Sequence, residues 1–348
     1  DGRGAAGRRL RHHPGGGWDA RQAREVVAAT DPSGKEDDVK VLVTGGAGFS
    51  GSILVPLILD AGHRVTVLDN FLYGQSPFLD RCGDENLEII RDDVRHIVTL
   101  KRALWEQEAI IPLAALVGAP ACDRDKVGAR TINLDAIRDL MRFRDPSQYV
   151  VYPNSNSGYG ICPDGQSARE DSPLSPLSLY AKLKVAAEDE VLRGDHTVSL
   201  RFATLYGASP RMRRDLLVND FTWRAVTDGW LLLYEPLARR PILHVRDAAR
   251  AILWALEKLT EKRLTHRVYN VAAETVTKRE LCHAIHWQRP AFHWVEGQGH
   301  DPDRRDYAVD CARIFAEGWK PERTLEEGIG ELLKCYQILA GQEAHTNA

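Results

Sequence analysis

The spacing of hydrophobic residues changes abruptly near residue 40 and predicts a strand, a loop and a helix. KVLVT, at 40–44, is a short run rich in β-branched residues, which is typical of a buried strand. The glycines after it lead into FSGSILVPLILDAG, whose length and apolar spacing indicate a helix. Another apolar run, RVTVLD at 64–69, completes a strand–helix–strand unit of about 30 residues. The pattern therefore predicts a βαβ crossover at the start of the folded part of the chain.

This alternation of apolar runs and helical segments continues to residue 206. Further strands are predicted at LEIIR, IIPLAA, YVVYP and TVSLRFA, with helices such as VTLKRALWEQ and INLDAIRDLMRF between them. Alternating strands and helices predict an α/β fold of the Rossmann type, a doubly wound parallel sheet covered on both faces. We expect residues 39–206 to form this domain, with some later segments returning to it. The alternation loosens after that, so 207–340 are expected to form mainly a smaller C-terminal lobe.

The first 38 residues differ from the rest in composition. They are rich in glycine, arginine and other charged residues and offer little apolar surface to bury. Such a composition predicts an unstructured extension over 1–38. The segment lacks the apolar stretch of a secretory signal. Its early arginines leave organelle targeting as an alternative to a plain tail.

Composition and charge exclude several classes of function. Hydrophobic residues make up 43% of the chain and charged residues 27%, and no apolar run approaches the roughly 20 residues that span a bilayer. The net charge of -3 leaves no cationic excess for binding phosphate backbones. The six cysteines lie far apart without a CxxC pair, which favours a reducing compartment over a disulfide scaffold or zinc site. We expect a cytoplasmic protein that binds no metal, nucleic acid or membrane.

The loop between the first strand and the first helix has the features of a pyrophosphate site. In TGGAGFSG, Gly45, Gly48 and Gly51 follow a strand and open a helix, so the backbone can approach a pyrophosphate at the amide-rich helix N-terminus. Asp69 ends the second strand about twenty residues on, where a carboxylate can bind an adenosine ribose and repel a 2′-phosphate. We expect NAD rather than NADP, the alternative being a tight turn with a surface aspartate. Asp93 and Val94, after the third strand, are expected to flank the adenine. A solvated acidic turn at this place agrees with the sequence almost as well.

Several motifs occur in the order found in one enzyme family. These are the GxxGxxG loop, the acidic strand end, LAA at 113–115, PNSNSGYG, YxxxK in SLYAKLK, and RRPILHVRD. From about Lys40 to about Leu339 the chain closely resembles the extended short-chain dehydrogenase/reductases, the group of NAD-dependent nucleotide-sugar epimerases and dehydratases. The resemblance implies an NAD-binding Rossmann domain, a C-terminal lobe that closes over a nucleotide-sugar substrate, and a homodimer.

The YxxxK pair provides a base for this chemistry. A sugar hydroxyl must lose its proton while its carbon loses hydride, and the ordinary tyrosine pKa of about 10 is too high for base catalysis at neutral pH. Lys184 lies one helical turn after Tyr180 on the same helix face, so its ammonium can favour the phenolate. The resemblance implies that Lys184 also holds the nicotinamide ribose. It places a third catalytic hydroxyl at Ser155.

The two residues after Ser155 bear on the type of reaction. Sugar 4,6-dehydratases of the family typically carry an Asp-Glu pair there, whereas this chain has Asn156 and Ser157. Ordinary dehydration would lack its acid and base, so we expect NAD-dependent oxidation at sugar C4, as a 4-epimerase or 4-dehydrogenase. Ser157 is expected to touch substrate or, equally, to cap the strand end. The alternatives are a non-catalytic NAD sensor, which would not need the Ser-Tyr-Lys set, and a dehydratase with unusual acid and base residues.

The resemblance also implies further ligand contacts. Thr204 stands where an asparagine often contacts the nucleotide sugar, and Asn219 falls near the segment that packs against the base. Arg240 matches an arginine that grips the diphosphate, with Arg304 or Arg305 as its partner, because an arginine fork can bind phosphate bidentately. For each arginine the alternative is a surface ion pair. Further cofactor contacts are expected at Phe49, Ser50, Asn70, Leu113, Ala114 and Ala115.

A narrower resemblance concerns the segments around the expected substrate site. Pro112 replaces the histidine of the family's usual HLAA. The segments LVGAPACDRD, NSNSGYG and SPRMRRDLLVND resemble a subgroup that includes bacterial GDP-heptose 4-dehydrogenases. Relatives that act on other sugars could equally share these segments.

Overall fold

The computed structural model describes residues 38–162, 166–299 and 306–339. The extension predicted over 1–38 therefore lies outside the described residues except for Asp38, whose carboxylate accepts a 2.7 Å hydrogen bond from Arg64. Arg304 and Arg305 also lie outside them.

Seven parallel strands form the large sheet. They are β1 Lys40–Thr44, β2 Arg64–Asp69, β3 Leu87–Arg91, β4 Ala109–Pro112, β5 Tyr149–Ser155, β7 Thr197–Phe202 and β11 Val268–Val271. Their order across the sheet is β11-β7-β5-β4-β1-β2-β3. The order reverses between β1 and β4, and in such sheets ligands bind at the carboxyl ends of the strands on either side of this point.

Helices cover both faces of this sheet. The helices of the described chain, some of which pack elsewhere, are α1 Gly51–Asp60, α2 Ile97–Leu104, α3 Ala119–Arg124, α4 Lys126–Arg130, α5 Ala136–Phe143, α6 Leu179–Leu192, α7 Leu217–Thr227, α8 Val245–Thr260, α9 Lys278–Gln288, α10 Ala312–Ala316 and α11 Leu325–Leu339. Successive strand side chains point to opposite faces, so Val41 and Val43 pack in a core with α1 and α8. Leu42 packs in a second core with α2, α5 and α6. Burial on both faces explains why the β1 sequence is apolar without alternation.

Three smaller sheets and a third core complete the described chain. A three-stranded sheet has the order β12-β10-β8, and two pairs of strands are parallel, β9 with β13 and β6 with β14. Helices α7, α9 and α11 pack around the third core. The strands are β6 Ser167–Ala168, β8 Thr204–Tyr206, β9 Trp230–Leu233, β10 Arg239–His244, β12 Glu274–Thr277, β13 His293–Glu296 and β14 Ala308–Val309.

The parallel sheet with helices on both faces confirms the predicted fold class. The boundary predicted at residue 206 coincides with the end of β8, but the division into an NAD-binding domain and a substrate-binding lobe stays a prediction. Within the described ranges, no helix is both long and apolar enough to cross a membrane. All six cysteines are free thiols.

Two local expectations were wrong in detail. The strand predicted at IIPLAA ends at Pro112, so LAA belongs to the following loop. This loop leaves the sheet to cross over the glycine turn, and an added Cβ at Gly45 would lie 2.4 Å from the Ala114 nitrogen. The helix predicted at INLDAIRDLMRF begins with a π-helical segment, Thr131–Asp135, before α5.

Candidate active site

A cleft of about 1580 Å³ opens at the carboxyl ends of the central strands. Residues that follow β1, β2, β4 and β5 form one wall, and residues of β8 and α7 form part of the other. Every residue predicted to bind the cofactor lines it: Gly45, Gly48, Phe49, Ser50, Gly51, Asp69, Asn70, Asp93, Val94, Leu113, Ala114, Ala115, Tyr180 and Lys184. The predicted cofactor contacts thus all fall in one cleft at the point where the strand order reverses.

The glycine loop is shaped by two close backbone contacts. Gly45 has a φ of +69° and passes beneath the loop after β4, where a side chain would collide with Ala114. At Gly51 an added Cβ would lie 2.3 Å from the Gly46 carbonyl oxygen. No side chain caps the first turn of α1. The Ser52 and Ile53 amides already donate to the Gly48 and Ser50 carbonyls, but the positive end of the helix dipole is available to an anion. These features fit a pyrophosphate.

Asp69 connects the end of β2 with the glycine loop. One carboxylate oxygen accepts a 2.9 Å hydrogen bond from the Ala47 amide, and the other accepts a 2.7 Å bond from the Phe71 amide. Burial raises the pKa of the Asp69 carboxyl, while these backbone bonds and the Arg211 charge oppose that shift. Each carboxylate oxygen has a second lone pair, so the group can still accept hydrogen bonds from ribose hydroxyls.

The residues predicted beside the adenine are held differently from one another. Asp93 is bound by the Arg95 guanidinium through two 2.8 Å hydrogen bonds, which lower the pKa of its carboxyl to about 2. Only 9% of the Val94 surface is exposed. Asn70 directly follows β2, and its side-chain amide donates a 3.4 Å hydrogen bond to the Asp93 carboxylate. The adenine contact stays a prediction, and the Asp93–Arg95 ion pair agrees with the alternative of an acidic turn.

Ser155, Tyr180 and Lys184 all line the same cleft. Ser155 ends β5, and its hydroxyl accepts a 3.2 Å hydrogen bond from the Ser157 amide. Tyr180 lies in the first turn of α6, which Ser178 caps through a 3.2 Å bond from the Ala181 amide. The backbone bond and the cap fix the strand end and the helix start that carry the two hydroxyls.

Lys184 is a buried residue at the edge of the cleft. Its ammonium donates a 2.7 Å hydrogen bond to the Pro153 carbonyl and lies 4.1 Å from the centre of the Tyr152 ring. Burial lowers the pKa of Lys184 to about 7, and the nearby Glu188 carboxylate opposes that shift. The lysine is therefore anchored to the strand that ends at Ser155.

Asn156 and Ser157, at the positions of the dehydratase acid and base, have different surroundings. Asn156 has no exposed surface. When its side-chain amide is oriented so that both of its polar atoms form hydrogen bonds, the NH₂ group donates to the Asn270 side-chain oxygen at 3.1 Å and to the Arg201 carbonyl at 3.0 Å. The amide oxygen then accepts a bond from the Ala203 backbone amide. Its side chain thus ties strand ends together within the core. Ser157 is buried and lines the cleft, and its hydroxyl has no hydrogen-bond partner among the described residues. The hydroxyl therefore does not cap the strand end here, and its contact with substrate stays a prediction.

The predicted substrate contacts divide into two groups. Thr204 and Arg240 line the cleft, and Arg240 is 2% exposed with one guanidinium N–H bonded to the Arg239 carbonyl. Asn219 has no exposed surface. Its amide accepts a 2.9 Å bond from the Gly207 amide and donates a 2.8 Å bond to the Arg213 carbonyl, so it supports the loop beside the cleft. A contact between Asn219 and the base stays a prediction.

Sequence reasoning missed three arginines of the segment SPRMRR that line the cleft. The Arg211 guanidinium lies 3.6 Å from the centre of the Tyr73 ring, Arg213 is ion-paired with Asp215, and Arg214 lies 4.6 Å from the Trp223 ring centre. The clustering of arginines in this segment was the available signal. It was not sufficient, because charge clusters are also common on solvent-exposed surfaces.

Comparison with known proteins agrees with this geometry. Residues 41–272 match the model of the NAD dependent epimerase/dehydratase family. The chain is 28% identical to the low-salt glycan biosynthesis protein Agl12 of Haloferax volcanii, over 85% of this chain and 98% of that protein. It is 27% identical to a putative UDP-glucose 4-epimerase of Methanocaldococcus jannaschii, over 83% of this chain and 95% of that protein.

A solved structure shares the fold over its full length. The NAD complex of the UDP-glucose 4-epimerase of Thermus thermophilus superposes with a TM-score of 0.72 and 26% identity, covering 88% of this chain and 100% of that one. The glycine loop, the open helix N-terminus and the Asp69 carboxylate are a donor and acceptor set that fits NAD. The chain belongs to the NAD dependent epimerase/dehydratase family, and it is an NAD-dependent enzyme.

Proposed function

We propose that the enzyme oxidises C4 of a nucleotide-activated sugar, acting either as a 4-epimerase or as a 4-dehydrogenase that releases the 4-keto sugar. The observation that carries this proposal is the position of three groups in one cleft: Ser155, Tyr180 and Lys184. The combination provides a hydrogen-bonding hydroxyl, a base and a cation for the removal of one proton.

Tyr180 is the proposed base. It lies in the first turn of α6, where the positive end of the helix dipole favours an anionic phenolate. The Lys184 ammonium one turn later favours the same form. Bound NAD would supply the hydride acceptor for this oxidation. The Tyr180 phenolate accepts the hydroxyl proton as the sugar carbon loses its hydride, which requires the two oxygens to lie within about 3 Å.

Ser155 is the proposed partner of the reacting oxygen. Its own oxygen accepts a bond from the Ser157 amide, which leaves the hydroxyl proton to donate toward the cleft. A donor at this place stabilises negative charge as it develops on the sugar oxygen. The strand end and the helix start would thus act on one oxygen from two sides.

The surroundings of Asn156 argue against elimination of water. Its amide is bonded to core residues, and an amide is neither an effective acid nor a base near neutral pH. Loss of water from the sugar would require a group that protonates the departing hydroxyl. Oxidation at C4 without dehydration is therefore the better supported reaction.

Arg240 supports a diphosphate-linked sugar. It is 2% exposed and lines the cleft, and buried guanidinium groups bind phosphate oxygens strongly. The name of the relative from Methanocaldococcus jannaschii, putative UDP-glucose 4-epimerase, supports a nucleotide sugar. The GDP-heptose subgroup, the homodimer and the cytoplasmic location stay predictions.

A panel of nucleotide sugars labelled with ¹³C at C4 tests this proposal. An epimerase inverts the configuration at C4, and a dehydrogenase produces a 4-keto carbon together with an equal amount of NADH. NMR distinguishes the two products, and Tyr180→Phe serves as the matched control. If the protein binds NAD but alters none of the sugars, the proposal is contradicted and the sensor alternative gains support.

A further inference from the structure

We propose that Tyr152 is a positioning residue for Lys184: the face of its ring holds the lysine ammonium in place where water cannot solvate it. This role rests on the proposed function, in which Lys184 supports the Tyr180 phenolate. Tyr152 lies on β5, three residues before Ser155, and packs against α6 in the second core. It therefore links the strand of one catalytic hydroxyl with the helix of the other.

The contact between the two side chains is direct. The Lys184 nitrogen lies 4.1 Å from the centre of the Tyr152 ring, well within the roughly 6 Å over which a ring face attracts a cation. The same nitrogen donates to the carbonyl of Pro153, the next residue of β5. Since an ammonium has three N–H donors, the two contacts from β5 leave one for a ligand in the cleft.

The Tyr152 hydroxyl does not account for the position of this residue. Tyr152 is 1% exposed, and among the described residues its hydroxyl has no hydrogen-bond partner. An unsatisfied buried hydroxyl opposes folding, so the aromatic ring must supply the advantage. A ring face can stabilise an ammonium without offering an oxygen that would compete with ligand oxygens.

Other ionisable groups around this pair act less directly. Tyr180 and Glu188 lie one helical turn on either side of Lys184. Glu188 is ion-paired with Arg201 on β7 at 2.7 Å, and Arg201 also donates to the Tyr159 hydroxyl at 2.8 Å. The Glu188 carboxylate favours the charged lysine, but Arg201 takes up much of its hydrogen-bonding capacity. The ring and the Pro153 carbonyl are thus the contacts that fix the ammonium.

A graded change of the ring tests this role without changing its shape. Tyr152 is replaced by phenylalanine and by di-, tri- and pentafluorophenylalanine, because fluorine withdraws electron density from the ring face that attracts cations. NMR titration of ¹³Cε-labelled lysine in the NAD-saturated protein follows Lys184, whose signal is assigned by its loss in Lys184→Arg. We expect its pKa to stay unchanged in Tyr152→Phe and to fall by about one unit across the fluorinated series.

The readout does not depend on turnover, so failure of this proposal and failure of the proposed function can be distinguished. A constant Lys184 pKa across the folded series would mean that the ring only fills space and would contradict the inference. Should pentafluorophenylalanine prevent folding, the phenylalanine, difluoro and trifluoro variants give the same slope over a smaller range. Where a substrate is known, the rising limb of the pH–activity profile should move upward as the lysine pKa falls. A limb that stays fixed would contradict the proposed link to Tyr180.

Discussion

Asp69 accepts a 2.9 Å hydrogen bond from the Ala47 amide and thereby joins the end of β2 to the glycine loop. The first prediction follows from the charge of this carboxylate. NAD should bind more tightly than NADP, because a 2′-phosphate would meet a like charge. Calorimetry with both cofactors measures the difference. Asp69→Asn is the matched control and should reduce the preference for NAD over NADP. If the unmodified enzyme binds both cofactors with equal affinity, Asp69 does not discriminate against the 2′-phosphate.

Gly45→Ala should destabilise the protein by more than about 2 kcal/mol. The substitution places a Cβ at 2.4 Å from the Ala114 nitrogen at a φ of +69°, so it combines backbone strain with a collision. Gly74→Ala is the matched control, because Gly74 has a φ of +65° and nothing within 4 Å of its added Cβ. Urea denaturation gives both free energies of unfolding. If both substitutions lower the free energy of unfolding equally, the close approach of the loop after β4 to Gly45 does not contribute to stability.

The enzyme should not form a 4-keto-6-deoxy sugar. Asn156 is committed to hydrogen bonds with strand ends in the core and provides no group that can protonate a departing hydroxyl. Mass spectrometry of turnover mixtures would reveal the loss of one water. A dehydrated product at an ordinary enzymatic rate would mean that another residue supplies the acid and base.

The charge of Lys184 should make stability depend on pH. Its pKa in the folded protein is lowered from 10.5 to about 7 by burial, so between these values the unfolded chain binds more protons. Stability must then rise with pH over this window, by roughly 1 kcal/mol per pH unit. The difference in free energy of unfolding between the unmodified protein and Lys184→Met, measured at several pH values without cofactor, isolates this contribution. A difference that is flat from pH 7 to 10 would show that Lys184 keeps an ordinary pKa.

Patterns that depend on the local chain were readable from the sequence. The bounds of β1 and β2 and the start of a helix at Gly51 agree with prediction, because apolar runs and glycine positions determine them within a few residues. The glycine loop could be placed at the carboxyl end of a parallel strand, and the resemblance to the enzyme family associated it with the YxxxK pair, which lines the same cleft.

The contacts of individual side chains could not be predicted from the local sequence. Asn156 turns into the core because Asn270 and the Ala203 amide, distant in sequence, offer it hydrogen bonds. Asn219 supports a loop for the same kind of reason. Arg211 is buried beside Tyr73, more than a hundred residues away in the chain, and no local pattern indicates such a pairing.

The most direct test of the central claim is the turnover of Tyr180→Phe with a confirmed nucleotide-sugar substrate. The substitution removes only the ionisable oxygen, so folding and NAD binding should be unchanged. Turnover should fall by about 10² to 10⁴, as is typical for the loss of a positioned acid–base group. Lys184→Ala should instead move the rising limb of the pH profile upward, because the phenolate would lose its nearest protein cation. Wild-type turnover in Tyr180→Phe would show that the base lies elsewhere and would contradict the proposed mechanism.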